Sequence, residues 1–490
     1  LGLAGAGLGA AAATTPVFHD LDEVISSAGS LQSHPWYVKE RELMDPTTDV
    51  DWSIMERYDR RNQGQCARVQ GIYYGDDRVR AVHANSGALA KQQLQNNVPG
   101  FGHKWEALRQ GIGQEHAWSS SFLGPIGQGI DGDLADTPEE MGVPKWQGTP
   151  EENNKLLMAA TRLFGAGELG FAKLDSTWRN KLVSINQKGG STSTRYIGQP
   201  PPGDDVAQRF VFEDVDEAYT TDTKWVIPNH DLWVLYVAGP EPKETDKTAV
   251  SRISKSNLVG NSTVRNTAFF STWNFLRALG YNAFGGTGHG RDAFQTGSVA
   301  ILTGLGETSR MSNWPISLAF GPRAWEFAQI VDMPLKESHP IDAGIWRFCR
   351  TCGLCAENCP SGSISKKDVG DPTYEMPTIE GKTDIQHAHG PKLFWYNGSA
   401  CRLWIKEFFP GTGCSLCAAH CPFSTGSAAM VHSVIKATMA TTGLFNGFFS
   451  TMSKSFGYGV LENKEDWWDM SLPFHGIDST ITAMHGGYRK

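Results

Sequence analysis

Helical and strand periodicities that alternate through the middle of the chain predict an α/β (α+β) fold, and two four-cysteine sets behind them predict a module built around inorganic ligands. The helical signal is clearest at Glu151–Gly165, where Leu156, Leu157, Ala160, Leu163 and Phe164 fall on one stripe, and at Thr267–Leu279. The strand signal is clearest at Trp225–Ile227 and Leu232–Ala238.

In chain order, Leu1–Thr15 is small and apolar and carries no charge, as expected for the end of an export signal. Its Gly5-x-Gly7-x-x-Ala10 spacing lacks the preceding strand that a dinucleotide site needs. Residues 16–65 mix acidic and aromatic segments and predict short helices and loops packed on the main body. Residues 66–150 show weak periodicity and end in the turn-rich stretch Gly142–Pro150. The helix at Glu151–Gly165 leads through a turn into a strand ending near Leu174, and Lys188–Gly203 is polar and rich in Gly and Pro, hence a loop. Gly280 should end the second helix as a left-handed cap. A short strand at Tyr281–Phe284 then precedes Gly285, Gly286, Gly288, His289 and Gly290, whose small residues let backbone approach a large planar or anionic ligand. Ala293–Leu302 predicts a further helix before Gly304–Arg310.

The cysteines are the most specific signal. Cys349, Cys352, Cys355 and Cys359 read C-x2-C-x2-C-x3-C-P, and Cys401, Cys414, Cys417 and Cys421 repeat the C-x2-C-x3-C-P ending. Soft thiolates at this spacing suit two [4Fe-4S] clusters better than zinc or disulfides. In two-cluster ferredoxins the last cysteine of each run crosses to the other cluster, so Cys421 should join Cys349, Cys352 and Cys355, while Cys359 joins Cys401, Cys414 and Cys417. Cys66 is left over and reads as a thiol without function.

At 490 residues the chain far exceeds a lone ferredoxin. Its net charge of −8 leaves no nucleic-acid footprint, and 16 Trp with 24 Phe could wall a large apolar cavity besides filling the core. After the leader no run of apolar residues is long enough to span a membrane.

The segments Pro35-Trp36-Tyr37-Val38, Asp51-Trp52, Pro144–Pro150, Leu279-Gly280-Tyr281-Asn282-Ala283, Gly304–Arg310, Pro340–Gly344, Phe445–Phe449 and Trp467-Trp468, taken with the cysteine sets, resemble the respiratory corrinoid-dependent reductive dehalogenases of Dehalococcoides-type bacteria. The resemblance covers nearly the whole chain. It implies a cobalamin-type corrinoid bound base-off in a nitroreductase-like core, fed by two [4Fe-4S] clusters. It also implies removal of halogen from an organic acceptor (R–X + 2e⁻ + H⁺ to R–H + X⁻). No D-x-H-x-x-G motif is present, so no histidine is expected as lower cobalt ligand. The implied organisation is a leader remnant at 1–15, an N-terminal region at 16–150, the corrinoid core at 151–338, the cluster module at 339–430 and an extension at 431–490.

By the same resemblance the protein leaves the cytoplasm by the twin-arginine route. It would work on the outer face of the cytoplasmic membrane, beside a small integral-membrane anchor and an upstream electron donor. The family's proton-donating tyrosine lies 19 residues before the Tyr of its Leu-Gly-Tyr segment; here that count reaches Ser262. The cationic partner maps to Arg323 in Phe320-Gly321-Pro322-Arg323, with Arg310 read as a structural ion-pair residue and Tyr281 as either a site residue or core. Two other readings fit the cysteines: an enzyme like epoxyqueuosine reductase, acting on modified tRNA, or a non-catalytic electron-transfer subunit.

Overall fold

The computed structural model describes residues 34–112, 135–187, 189–254, 264–284, 293–312, 314–366, 371–410, 413–424, 430–455 and 459–472. Leu1–Thr15, Ser262 and the loop from Gly285 to Gly290 lie outside them. Helix and sheet are mixed.

The weakly periodic region after residue 65 forms helices α1 (Ala67–Tyr74) and α2 (Asp76–Gln95), the latter 20 residues long. Along α2 only Val79 is buried, so no apolar stripe advertises it in sequence. Helix α3 (Pro150–Leu163) forms where its stripe predicts, but the buried face is Asn153, Asn154, Leu157 and Thr161, and Leu163 is 85% exposed. Thr149 accepts the Glu152 amide at 3.2 Å, and the Glu152 carboxylate accepts the Thr149 amide at 2.8 Å, with Pro150 at the first helical position.

Strand β1 (Glu168–Lys173) follows, then a small sheet of β2 (Arg209–Glu213), β3 (Tyr219–Thr220) and β4 (Lys224–Pro228), then β5 (Trp233–Pro240). Helix α4 (Asn266–Leu279) ends at Gly280 (φ +88°), where a Cβ would lie 2.9 Å from Lys145. Strand β6 (Ala283–Phe284), helix α5 (Thr296–Leu302) and strand β7 (Ala324–Val331) complete the sheet region. Helix α5 starts later than expected because Phe294 forms an extended bridge to Val183.

The main sheet has the order β1-β5-β7-β6 and is antiparallel throughout, with Glu168 opposite Ala238 and Ala238 opposite Glu326. Both faces are covered. Leu169, Phe171, Leu235, Val237, Trp325 and Phe327 pack with α3 and α4 residues, while Ala172, Val234, Tyr236, Ala328 and Ile330 pack with Trp178, Phe210, Trp225 and Phe294. Burial on both faces is why β5 reads as an unbroken apolar run.

The cysteine-bearing segment follows as α6 (Ile345–Cys352), α7 (Leu354–Glu357), α8 (Gly398–Phe408) and α9 (Leu416–Ala419), then α10 (Met430–Thr441) and α11 (Asn446–Ser455). Lys39–Glu40 pairs with Ile341–Asp342, tying the N-terminal region to the entrance of this segment. Among the described residues no helix is long and apolar enough to cross a membrane.

Candidate metal centre and active site

Short helical turns bring the cysteines together. Cys349 and Cys352 sit on α6, Gly353 breaks that helix in the left-handed region, and α7 then carries Cys355. Asn397 caps α8 by accepting the Ala400 amide at 2.9 Å, which orients Cys401. Ser415, itself left-handed at φ 61°, starts α9 and with it Cys417.

The thiols fall into two groups by the charges they sense. Burial first, then Cys349, Cys421, Cys417 and Cys352, push Cys355 well above the ordinary thiol value. Burial and then Cys349 do the same to Cys421. Burial pushes Cys414 up to about 12, with Cys401 and Cys359 adding to it, and Cys417 rises through burial, Cys401, Cys414 and Cys359. Cys421 thus senses thiols of the first run, and Cys414 and Cys417 sense Cys359, while Cys417 also acts on Cys355 and Cys421. Thiols buried together resist ionisation unless a cation joins them, which is the situation a metal cluster resolves. Among the described residues no three Cys, His, Asp or Glu side chains converge as ligands of a single ion. The phenol of Tyr396 hydrogen-bonds the Cys401 thiol.

Residues of Gly304–Arg310 hold α6 at both ends. The Glu307 carboxylate accepts the amides of Ala343 (3.2 Å) and Ile345 (2.7 Å) at the helix start, where four amides lack intrahelical partners. Arg310 donates to the carbonyls of Cys349 (3.0 Å), Arg350 (3.0 Å) and Ser365 (2.9 Å), with its guanidinium 4.1 Å from the centre of the Phe394 ring. The expected ion-pair role of Arg310 is thus corrected: its hydrogen-bond partners are neutral carbonyls, because the last turn of α6 leaves them open.

Arg323 is buried and makes a two-point ion pair with Asp246, both contacts 2.8 Å, with Glu241 at 3.9 Å. Burial opposes its charge, but Asp246 and Glu241 outweigh burial and hold it above the usual arginine value. Its charge reaches Cys417 and Cys414. The preceding Gly321 (φ +68°) lies so close to the cysteine segment that a Cβ would meet the Phe423 carbonyl oxygen at 2.1 Å. Sheet and cysteine segment meet at this loop.

Tyr281 lies elsewhere, in the core between the sheet and α4. Its hydroxyl donates to the Trp146 carbonyl at 2.9 Å, and Lys145 sits 4.1 Å from its ring centre. Burial, then Asp332, raises its value, so this phenol is spoken for structurally.

Sequence reasoning missed a polar group at the Arg323 end of the sheet. Glu168 and Glu326 flank Ala238 in register; Tyr236 donates to Glu326, Thr296 donates to Glu326 at 2.5 Å, and Ser317 donates to Glu168 at 3.4 Å. Both glutamates are enclosed yet keep part of their surface open. Burial pushes Glu168 up to about 7 and Tyr236 well above the phenol value. The available signal was a single carboxylate inside each apolar strand.

A family model described as a reductive dehalogenase subunit matches residues 33–335. The chain is 31% identical to the chloroethene reductive dehalogenase of Dehalococcoides mccartyi strain VS, over 98% of this chain and 96% of that one. It is 28% identical to the trichloroethene reductive dehalogenase of another strain of that species, over 98% and 97%. Its fold is similar to the solved catabolic reductive dehalogenase NpRdhA, with a TM-score of 0.59 at 17% identity, covering 91% of this chain and 53% of that longer one. A related structure, described as suggesting a mechanism for B12-dependent dehalogenation, aligns with a TM-score of 0.55 over 93% of this chain and 54% of that one. With close to full-length identity above 30% and a family match over more than half its length, the chain belongs to the reductive dehalogenases, oxidoreductases that act on carbon–halogen bonds.

Proposed function

We propose that this chain is a catalytic subunit that removes halogen from a chlorinated organic acceptor, R–X + 2e⁻ + H⁺ giving R–H + X⁻. It would do so with a base-off corrinoid in a nitroreductase-like core and two [4Fe-4S] clusters in a ferredoxin-like module. The electrostatic reach between the two cysteine sets, Cys421 with the first and Cys359 with the second, beside Arg323, supports this reading. When bound, the corrinoid supplies the two-electron reduction of the carbon–halogen bond and the clusters supply single electrons.

Cys349, Cys352, Cys355 and Cys421 would hold one cluster, and Cys359, Cys401, Cys414 and Cys417 the other. The donor set fits, since iron provides the positive charge that lets eight buried or half-buried thiols ionise. Glu168 and Glu326 fit the corrinoid side, because their partly open carboxylates offer acceptors to the amide groups that rim such a ring. Glu168 keeps a proton on its carboxyl oxygen close to neutral pH. Asp246 fixes the orientation of Arg323, whose role is to stabilise negative charge developing at the reacting centre.

Export by the twin-arginine route, a place on the outer face of the cytoplasmic membrane, a small integral-membrane anchor and an upstream electron donor belong to the same proposal. Export rests on the small-residue stretch Leu1–Thr15, and the anchor and donor rest on the family resemblance.

The test is anaerobic halide release by corrinoid-loaded protein from chlorinated ethenes, ethanes and benzenes. Release that depends on cobalt is expected. Protein carrying cobalt and about eight irons, yet inert to the whole panel, overturns the reading.

A further inference from the structure

Two buried arginines reach the thiol groups, and their surroundings differ. Arg323 is matched by Asp246 at 2.8 Å and by Glu241 at 3.9 Å, yet after burial its charge is the first that Cys417 senses. Arg310 is 2% exposed, and its three hydrogen bonds go to neutral carbonyls. A guanidinium stays charged in proteins, and carbonyls do not cancel that charge. It reaches Cys355, Cys349 and Cys352, all in the group completed by Cys421, ahead of Asp371, the carboxylate it senses last. From the same segment, Glu307 places a carboxylate within reach of Cys349.

Reduction adds an electron to a cluster, so a fixed cation beside its thiolates favours the reduced form and a fixed anion disfavours it. We propose that the opposed charges of Arg310 and Glu307 set the midpoint potential of the cluster on Cys349, Cys352, Cys355 and Cys421, and leave the other cluster untouched. Arg310 dominates because it faces three of the four thiolates and Glu307 one. Neither residue touches a reacting atom; both act through the cluster, and the same contacts hold α6 in place. The inference rests on the reading that the two thiol groups carry [4Fe-4S] clusters.

Cluster-loaded full-length protein and its variants are titrated potentiometrically, with each cluster followed by electron paramagnetic resonance. In Arg310→Gln one midpoint falls. At the wild-type midpoint the reduced-to-oxidised ratio of that cluster drops at least tenfold, which is about 59 mV for a one-electron couple. The other midpoint stays in place. Arg310→Lys keeps the charge and stays near wild type. Glu307→Gln retains an oxygen for the two amides but loses the negative charge, so the same midpoint rises. This variant is measured at pH 8.5, above the value of about 7 to which burial pushes Glu307.

Three results overturn the inference: both midpoints unmoved in iron-replete Arg310→Gln, a fall in Arg310→Lys as large as in Arg310→Gln, or equal shifts of both clusters. If Arg310→Gln fails to retain iron, Glu307→Gln decides, and an unmoved midpoint there is equally fatal. Wild-type protein that binds no iron under reconstitution sinks the cluster reading itself, a failure separate from all of these.

Discussion

Around the main sheet, β1, β5 and β7 bury apolar side chains on both faces, and the strands satisfy one another's backbone groups. Around the cysteines, α7 and α9 are four residues long, and buried thiols stand where a core would have leucines. Burial, and then neighbouring thiols, raises the values of Cys355 and Cys421. The sheet region is thus packed by its own side chains, whereas the cysteine segment gathers the thiols that the proposed clusters would use. Glu307 and Arg310 bridge the difference by holding α6 through backbone groups alone.

The sharpest way to break this contrast is to remove one thiol. Cys417→Ser should abolish turnover and lower iron from about eight to about four per chain, while circular dichroism of the sheet region stays native. A collapse of the whole fold would show that the two regions are not separable. In the opposite direction, Phe327→Ala hollows the sheet core and should cost about 3–5 kcal/mol in chemical denaturation, with iron per folded chain unchanged. Loss of iron in proportion to stability would erase the distinction.

Arg323 stands where the regions meet. Arg323→Leu should lower turnover on the order of 10²-fold if it stabilises developing negative charge. It should also cost about 3–5 kcal/mol, because Asp246 is left buried without its partner. Unchanged turnover in the folded variant would end its proposed role.

A smaller effect concerns pH. Burial raises Glu168 from 4.5 to about 7 in the fold, so the folded state holds this proton more tightly than the unfolded chain. Its favourable contribution is complete below pH about 4.5 and fades as pH rises through about 7. Glu168→Gln should flatten stability across that window, and an unaltered profile would remove Glu168 from the account. The smallest effect belongs to Cys66, buried 3.0 Å from the Ser191 hydroxyl and outside both thiol groups. Cys66→Ser should leave iron content as it is.

Much of this was legible in the residues. The place of helix α3, the apolar run of β5 and the Gly280 cap are local signals, and local physics carries them into the fold. The C-x2-C spacing likewise determines which thiols one helical turn can present together. Helix α2 was not legible, because a helix that buries only Val79 draws its stability from packing on α1 and α8. The carboxylates of Glu168 and Glu326 were overlooked, since their convergence depends on the register of three strands distant in sequence.

By itself, then, the sequence determined the short-range features: helix stripes, caps, cysteine spacing and the mixed fold class. Tertiary structure alone decided which buried arginine is ion-paired with carboxylates and which donates to backbone carbonyls. Arg323 meets Asp246 from 77 positions away, and Arg310 meets the carbonyl of Cys349 from 39. Charge acts through space and depends on what else is buried nearby, and no spacing along the chain encodes that distance.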